Sequence, residues 1–381
     1  MKGFLTTHKG MGDIAVLEVK ELIGKNSEID EGCIAFDIQE YEDLFKLCYR
    51  SQSAIGIYYF LCKFDFDDLF NDFKKNIQKI NFNEWLSKNT QFRVRCKKNY
   101  DNEISTPEIE QKLGELIIGH IQEKYGYEQK VNLDNPDITM FVYLNKNKCY
   151  FGIDFAGFDL SKRSYNIFTH PAAVKGTIGY FLVRLAEYNK NETLLYGFSS
   201  SGTISIEAAL FALDFPINFF NKEKFAFLKF EKFKNYNFKK FFEKIDKGIK
   251  NYDLNVYNMD SSMKYLNFAK KNSKIAGIDK KIKFSRMDIE WLDTKFEKGK
   301  VDKIIAVMPS LKTKEIDKLY NEFFYQAEFI LNNKGKIVLI GDKEEIKKYS
   351  DKYKFKVSNE KSISSGKKEY KILILNKPKK H

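Results

Sequence analysis

Hydrophobic and polar positions change rhythm along this chain. In the first third the periods are mixed. Between Asp13 and Gly24 the apolar positions 14, 16, 17, 19, 22 and 23 form an imperfect helical stripe, opened by an acid and closed by a glycine. Residues 33–36 and 53–60 read as short strands, and 92–97 alternates as a half-buried strand does. Ser105-Thr106-Pro107-Glu108 predicts a helix start, with a hydroxyl cap, a proline in the first turn and an acid at the positive end. That helix is expected to run to about Tyr125. Residues 138–144 and 149–153 predict two strands joined by a turn at 145–148. From Thr193 onward strands alternate with helices. Strands are expected at 194–198, 255–260, 281–288, 302–308, 335–341 and 370–375, with helices at 205–213, 263–275 and 315–331. Such alternation implies a mainly parallel, doubly wound sheet.

The length, 381 residues, suits two or three domains. Hydrophobic residues are 43% and charged residues 31%, which fits a folded, soluble chain. No apolar run approaches the ~18 residues that a membrane span needs. The opening MKGFLTTHKG has no signal-peptide core, so a cytoplasmic location is expected. Cysteines stand at 33, 48, 62, 96 and 149, with no CxxC pair and four scattered His, so neither a metal site nor a disulfide scaffold is expected. The formal charge of +13 fits either a lysine-rich solvated surface or a polyanion partner. Residues 222–250 carry ten Lys against four acids, interleaved with Phe and Tyr. They read equally as an RNA-tracking surface with stacking rings or as an amphipathic cover over a sheet.

Candidate chemistry gathers at three strand ends. Leu194-Leu195-Tyr196-Gly197-Phe198 runs into Ser199-Ser200-Ser201-Gly202-Thr203 and then a helix start. A small-residue loop of this kind lets a ligand approach the backbone beside a positive helix end. Asp260 ends the next strand, where a carboxylate accepts from ribose hydroxyls, and it equally reads as a helix cap. Asp288 ends the strand after that. Three such ends in order favour a nucleoside-binding fold.

With these motifs in hand, the chain resembles the THUMP-domain RNA methyltransferases, especially the archaeal tRNA guanine-N2 type and its bacterial ribosomal relatives. Thr6-Thr7-His8-Lys9-Gly10-Met11-Gly12-Asp13 is similar to the opening of their N-terminal ferredoxin-like domain. Phe92-Arg93-Val94-Arg95-Cys96, Ser105-Thr106-Pro107-Glu108 and Val131-Asn132-Leu133-Asp134-Asn135-Pro136-Asp137 are similar to their THUMP domain. Lys162-Arg163-Ser164-Tyr165 with His170-Pro171-Ala172 resembles the junction to the methyltransferase domain. The resemblance implies an α/β chain: a ferredoxin-like piece at 1–62, a THUMP domain at 63–165, a linker at 166–175, and a Rossmann-like class I methyltransferase fold at 176–381. It also implies S-adenosylmethionine as cofactor, held by Tyr196, Phe198, Ser200, Gly202, Thr203, Asp260 and Asp288. The implied partner is RNA, most naturally tRNA, met by a basic strand bearing Arg93, Arg95, Lys97 and Lys98.

Two departures stand out. The family loop reads Asp-Pro-Phe-Cys-Gly-Ser-Gly-Thr, where this chain has Tyr196 for the acid and Ser200 for a glycine. Both are expected to intrude on the methionine end of the cofactor. The family's catalytic strand end reads Asp or Asn, Pro, Pro, then Tyr or Phe. Its acceptors hold the reacting amine, and its ring stacks on the flipped base. Here the positions are Val307, Met308, Pro309 and Ser310, so the acceptor and the ring are both lost. Two readings follow: an active methyltransferase with a divergent site, or an RNA-binding pseudoenzyme, alone or beside an active methyltransferase partner. The two altered motifs favour the second.

Overall fold

A computed structural model of the chain describes residues 1–100, 104–309, 313–366 and 368–377. The described residues divide into two compact units. One comprises 1–7, 15–160 and 221–244, and the other 8–14, 161–220 and 245–381.

The first unit is built on β1 (Lys2–Thr6), α1 (Gly12–Ile23), β2 (Ser27–Asp30), β3 (Cys33–Asp37), α2 (Tyr41–Arg50), β4 (Gly56–Asp65), α3 (Leu69–Ile77), β5 (Gln91–Lys98), α4 (Thr106–Tyr125), β6 (Lys130–Val131), β7 (Ile138–Asn145) and β8 (Lys148–Asp154). Its strands form one continuous sheet in the order β2-β3-β1-β4-β8-β7-β5-β6. β4 and β8 pair antiparallel and so join β2, β3 and β1 to β7, β5 and β6 in that sheet. The expected cap is present: the Ser105 hydroxyl accepts from the Glu108 N–H, and Gly126 closes α4 in the left-handed region.

Residues 221–244 pack on this unit. The rings of Phe227, Phe233, Tyr236, Phe238 and Phe241 surround that of Phe45 at 4.5–5.8 Å. The Lys232 ammonium sits 4.5 Å from both the Tyr41 and Trp85 rings. Most of these aromatic side chains are buried, Phe225 and Phe227 completely. A ring consumed by packing cannot stack on a base, so the RNA-tracking reading of this stretch is corrected in favour of a cover.

The second unit contains α5 (Gly176–Leu185), β9 (Thr193–Gly197), α6 (Thr203–Ala212), β10 (Asn255–Asp260), α8 (Met263–Ile275), β11 (Ile282–Arg286), α9 (Leu292–Lys295), β12 (Val301–Val307), α10 (Thr313–Ile330), β13 (Leu331–Ile340), α11 (Lys343–Lys352), β14 (Lys356–Ser365) and β15 (Lys368–Asn376); α7 (Phe238–Asp246) lies at the end of the cover segment. Its sheet order is β11-β10-β9-β12-β13-β15-β14. The first five strands are parallel, and β15 and β14 run antiparallel at the edge. This is the class I methyltransferase fold. Apolar clusters lie on both faces, with Leu194 and Tyr196 on one and Leu195 on the other, as the pleat requires.

A buried ion pair ties residue 163 to α6. The Arg163 Nε donates to Glu207 at 2.8 Å, and the Tyr165 hydroxyl donates to the same oxygen at 2.6 Å. Removing one partner from a buried pair of this kind costs about 3–5 kcal/mol. Gly176 is required beside it, because a Cβ there would come within 2.5 Å of Arg163 and Glu207. No helix among the described residues is long and apolar enough to cross a membrane.

Candidate functional site

The carboxyl ends of β9, β10, β11 and β12 open onto one cleft of about 230 Å³. This is where open parallel sheets bind ligands, because the strand ends and following loops diverge there. The β9–α6 loop forms one wall and is unusual in backbone. Phe198, Ser200 and Gly202 all have positive φ, at 56°, 47° and 81°. The conformation is held from beneath. The Ser199 N–H donates to the Met259 carbonyl at 3.0 Å. The fully buried Asn258 donates to the Ser199 hydroxyl and accepts from that of Ser205, each at 2.8 Å. Gly202 is needed both for its φ and for helix packing, since a Cβ would meet the Ala269 Cβ at 2.7 Å.

Asp260, at the end of β10, faces the cleft and accepts from the Ser200 N–H at 3.0 Å and the Ser262 N–H at 2.9 Å. Each carboxylate oxygen is engaged once, which leaves acceptor capacity on both. Asp288 also lines the cleft and accepts from the Ile289 N–H at 2.7 Å. Between them lie Met259, Met287, Ile289 and Leu292, a largely apolar wall. His170 and Ala172 also line the rim, with the His170 ring edge-on to Tyr265 at 4.2 Å. This rim is fixed by Asn272. Its amide accepts from the Phe168 N–H at 3.0 Å and donates to the carbonyls of Phe168 at 2.8 Å and Ser201 at 3.0 Å. Nothing in the sequence marks Asn272, because a lone Asn in a helix reads as solvent-facing.

Of the seven residues expected to hold cofactor, Phe198, Ser200, Asp260 and Asp288 line the cleft. Tyr196, Gly202 and Thr203 instead support it from below, and Tyr196 corrects an expectation. The pleat turns its side chain into the core, where it is 1% exposed, so it does not intrude on the cleft. Burial pushes its phenol far above the usual value; a hydrogen bond with Ser200 opposes this and nearby Asp260 adds to it. Ser200 does line the cleft, but its hydroxyl folds back onto the Phe198 carbonyl at 3.3 Å.

At the β12 end, Val307 and Pro309 line the cleft. Met308 points away into the core, and its N–H donates to the Ile340 carbonyl at 2.8 Å. Ser310 lies outside the described residues. The wall offered here by Val307 and Pro309 carries no side-chain acceptor.

These residues fit S-adenosylmethionine at its nucleoside end. Asp260 and Asp288 supply acceptors for hydroxyl or amine donors, and the apolar wall suits a planar base. Gly197 also lines the cleft. The start of α6 beside the loop favours an anionic group. No group of three or more His, Cys, Asp or Glu able to hold a metal ion occurs among the described residues.

In the first unit, the expected basic strand is β5. Phe92 and Val94 face inward, while Arg95 is exposed. Arg93 and Lys98 also brace the local fold, donating to the carbonyls of Leu133 and Ile104, each at 2.7 Å. Cys96, partly buried, has its thiol pushed up to about 12 by desolvation.

Residues 163–371 match the RMKL-like methyltransferase domain model, and residues 68–154 match the THUMP domain model. The chain is 30% identical over 378 residues to a tRNA (guanine(6)-N2)-methyltransferase of Methanocaldococcus jannaschii, covering 96% of this chain and 97% of that one. Its fold matches the crystal structure of SMU.472 complexed with SAH, with a TM-score of 0.82 at 18% identity, covering 100% of this chain and 99% of the other. It also matches TrmN from Thermus thermophilus, with a TM-score of 0.72 at 20% identity and 99% of each chain covered.

Proposed function

This chain belongs to the family of RMKL-like methyltransferases that carry a THUMP domain, alongside tRNA guanine-N2 methyltransferases, and from that premise we propose that it binds S-adenosylmethionine and a tRNA-like RNA but is impaired in methyl transfer to guanine N2. The impairment lies in holding the base. Cofactor binding is read as retained because Tyr196 lies beneath the loop and Asp260 keeps spare acceptor capacity in the cleft. When bound, the cofactor supplies an electrophilic methyl group. The protein's part is to orient donor and acceptor. Asp260 and Asp288 accept from the nucleoside end, and the apolar wall from Met259 to Leu292 excludes water around it. The RNA reading rests on the THUMP match and on the basic residues of β5, of which Arg95 is exposed.

The observation that carries the impairment is Val307 at the cleft wall. An exocyclic amine in line for transfer needs an acceptor there, and Val307 offers only methyl groups. Loss of one preorganised hydrogen-bonding partner at a reacting centre typically costs about 10²–10³ in rate. The testing experiment incubates the purified chain alone with methyl-labelled S-adenosylmethionine and unmodified tRNA, with calorimetry of cofactor binding in parallel. The expected result is cofactor binding and a tRNA complex without stoichiometric methyl incorporation at guanine N2. Stoichiometric incorporation overturns the impairment, and absence of calorimetric binding overturns the cofactor reading.

A further inference from the structure

The carboxyl edge of the seven-stranded sheet carries a second concavity, beside the first turn of α11 and over β15 and β14. Lys343, Lys361 and Lys371 line it with Ser362 and Glu360, and Ile372 and Leu373 contribute apolar surface. Strand register gives its place relative to the first cleft. Ile372 pairs with Ile340, and Ile340 pairs with Val307. Two strand spacings, about 10 Å, therefore separate the row of Val307 from that of Ile372. Both openings lie along the same edge of the same sheet.

The three ammonium groups are held in place. Lys343 pairs with Glu360 at 2.6 Å, and Lys347 pairs with the other oxygen of that carboxylate at 2.9 Å. Lys371 pairs with Glu369 at 2.6 Å and donates to the Ser362 hydroxyl at 3.2 Å. Lys361 pairs with Asp13. Lys9 adds positive charge near Glu369, and Glu344 adds negative charge near Lys347. An ammonium has three donors, and each lining lysine spends one or two of them in these bonds. Stems already fixed by ion pairs lose less rotamer freedom when a further acceptor arrives. Singly charged acceptors with exposed oxygens, spaced along a chain, suit this arrangement.

We propose that this concavity holds the phosphodiester backbone of the substrate RNA beside the nucleotide presented to the neighbouring cleft. The proposal rests on the RNA reading given above. It assigns the methyltransferase unit a phosphate-binding surface of its own, apart from the β5 strand. A target base entering the cleft at Val307 brings its flanking phosphates along this edge, where Lys343, Lys361 and Lys371 meet them.

The test measures anisotropy of labelled, unmodified tRNA on the full chain across a range of salt. The combined change Lys343→Gln, Lys361→Gln and Lys371→Gln is expected to weaken binding about tenfold near 0.1 M salt. The slope of log affinity against log salt should fall by about 2–3, because each phosphate contact contributes about 0.7–0.9. Replacing the same three residues by Arg keeps the charges and ion pairs and should keep the binding. A control of equal charge on α8 and the turn after it, Lys270→Gln, Lys274→Gln and Lys280→Gln, should change affinity less than about twofold. Unchanged binding in the first triple, or equal losses in both Gln triples, overturns the proposal. If the unaltered chain binds no tRNA, the functional reading itself fails, and the proposal with it.

Discussion

At the β10 and β11 end of the cleft the functional side chains are tied into the backbone, whereas at the β12 end they are not. The Asp260 carboxylate holds the N–H groups of Ser200 and Ser262, and Asp288 caps the turn that follows it. Both would be needed to shape their loops even without a ligand. Val307 is different. Its backbone sits in β12, and its side chain lines the cleft, packs partly on the core and makes no hydrogen bond that the fold requires. A side chain that no loop depends on can be exchanged for another of similar size with less disturbance than a carboxylate that holds two backbone N–H groups. On the proposed reading, the half of the cleft assigned to the nucleoside can therefore outlast the half assigned to the base, and an intact Asp260 does not by itself establish turnover.

The largest effect is expected where that asymmetry is reversed. Val307→Asn with Ser310→Tyr restores an acceptor and a ring at the base end. The rate of methyl incorporation into guanine N2 should rise on the order of a hundredfold over the unaltered chain. Met308 is best left in place, because Pro would remove its N–H bond to Ile340 and disturb the core beneath. No gain, with cofactor and tRNA both bound, would place the defect outside this wall.

The strand ends were legible in the sequence because each lies where an alternating apolar run stops at a loop. β10 and α8 match the expected ranges to the residue. β14 escaped, because as an edge strand with one paired neighbour it carries a polar sequence without a core-facing period. α5 escaped for the opposite reason: nine of its ten residues are buried, so no polar face marks the helical repeat. In the site, the acids and the small-residue loop were visible, but the direction of Tyr196 was not, since a loop motif does not reveal which face of the pleat its first residue takes. The lysines of the second concavity became neighbours only through the register of β13, β15 and β14.

A second contrast separates the two acids. Asp260→Ala removes a charged acceptor from the cleft and frees two backbone N–H groups. Hydrogen bonds to charged groups contribute about 1.5–3 kcal/mol each, so cofactor affinity should fall roughly 10–100-fold, with a lower melting temperature. Asp288→Ala frees only the Ile289 N–H. Its affinity loss should come with a smaller thermal shift. Calorimetry with a thermal melt on each variant reads both quantities. Equal thermal shifts would remove the distinction between the two acids.

Asn272→Ala tests the rim without touching the cleft wall. Three hydrogen bonds to backbone groups of Phe168 and Ser201 disappear, and the buried acceptors left behind cost about 1–3 kcal/mol. The melting temperature should drop by several degrees, while cofactor affinity changes only as far as the rim moves. A stable variant with unchanged affinity would show that residue 168 is held by its packing instead.

The smallest effect is expected at Ser200, where opposing terms nearly cancel. A left-handed conformation costs a residue with a Cβ about 1–2 kcal/mol, and Ser200 sits at a φ of 47°. Glycine would relieve that cost but would return roughly 0.5–1 kcal/mol through the greater freedom of the unfolded chain. The hydroxyl bond to the Phe198 carbonyl, long at 3.3 Å, contributes little more, and the hydroxyl's hydrogen bond with the Tyr196 phenol contributes about 0.5–1.5 kcal/mol that Gly would lose. Ser200→Gly should therefore shift stability by no more than about 1 kcal/mol. Cofactor affinity should change less than about threefold, because the hydroxyl is turned back onto its own loop. A tenfold gain in affinity would instead mean that this hydroxyl blocks the cleft, and would move the lesion from the base-holding end to the cofactor loop.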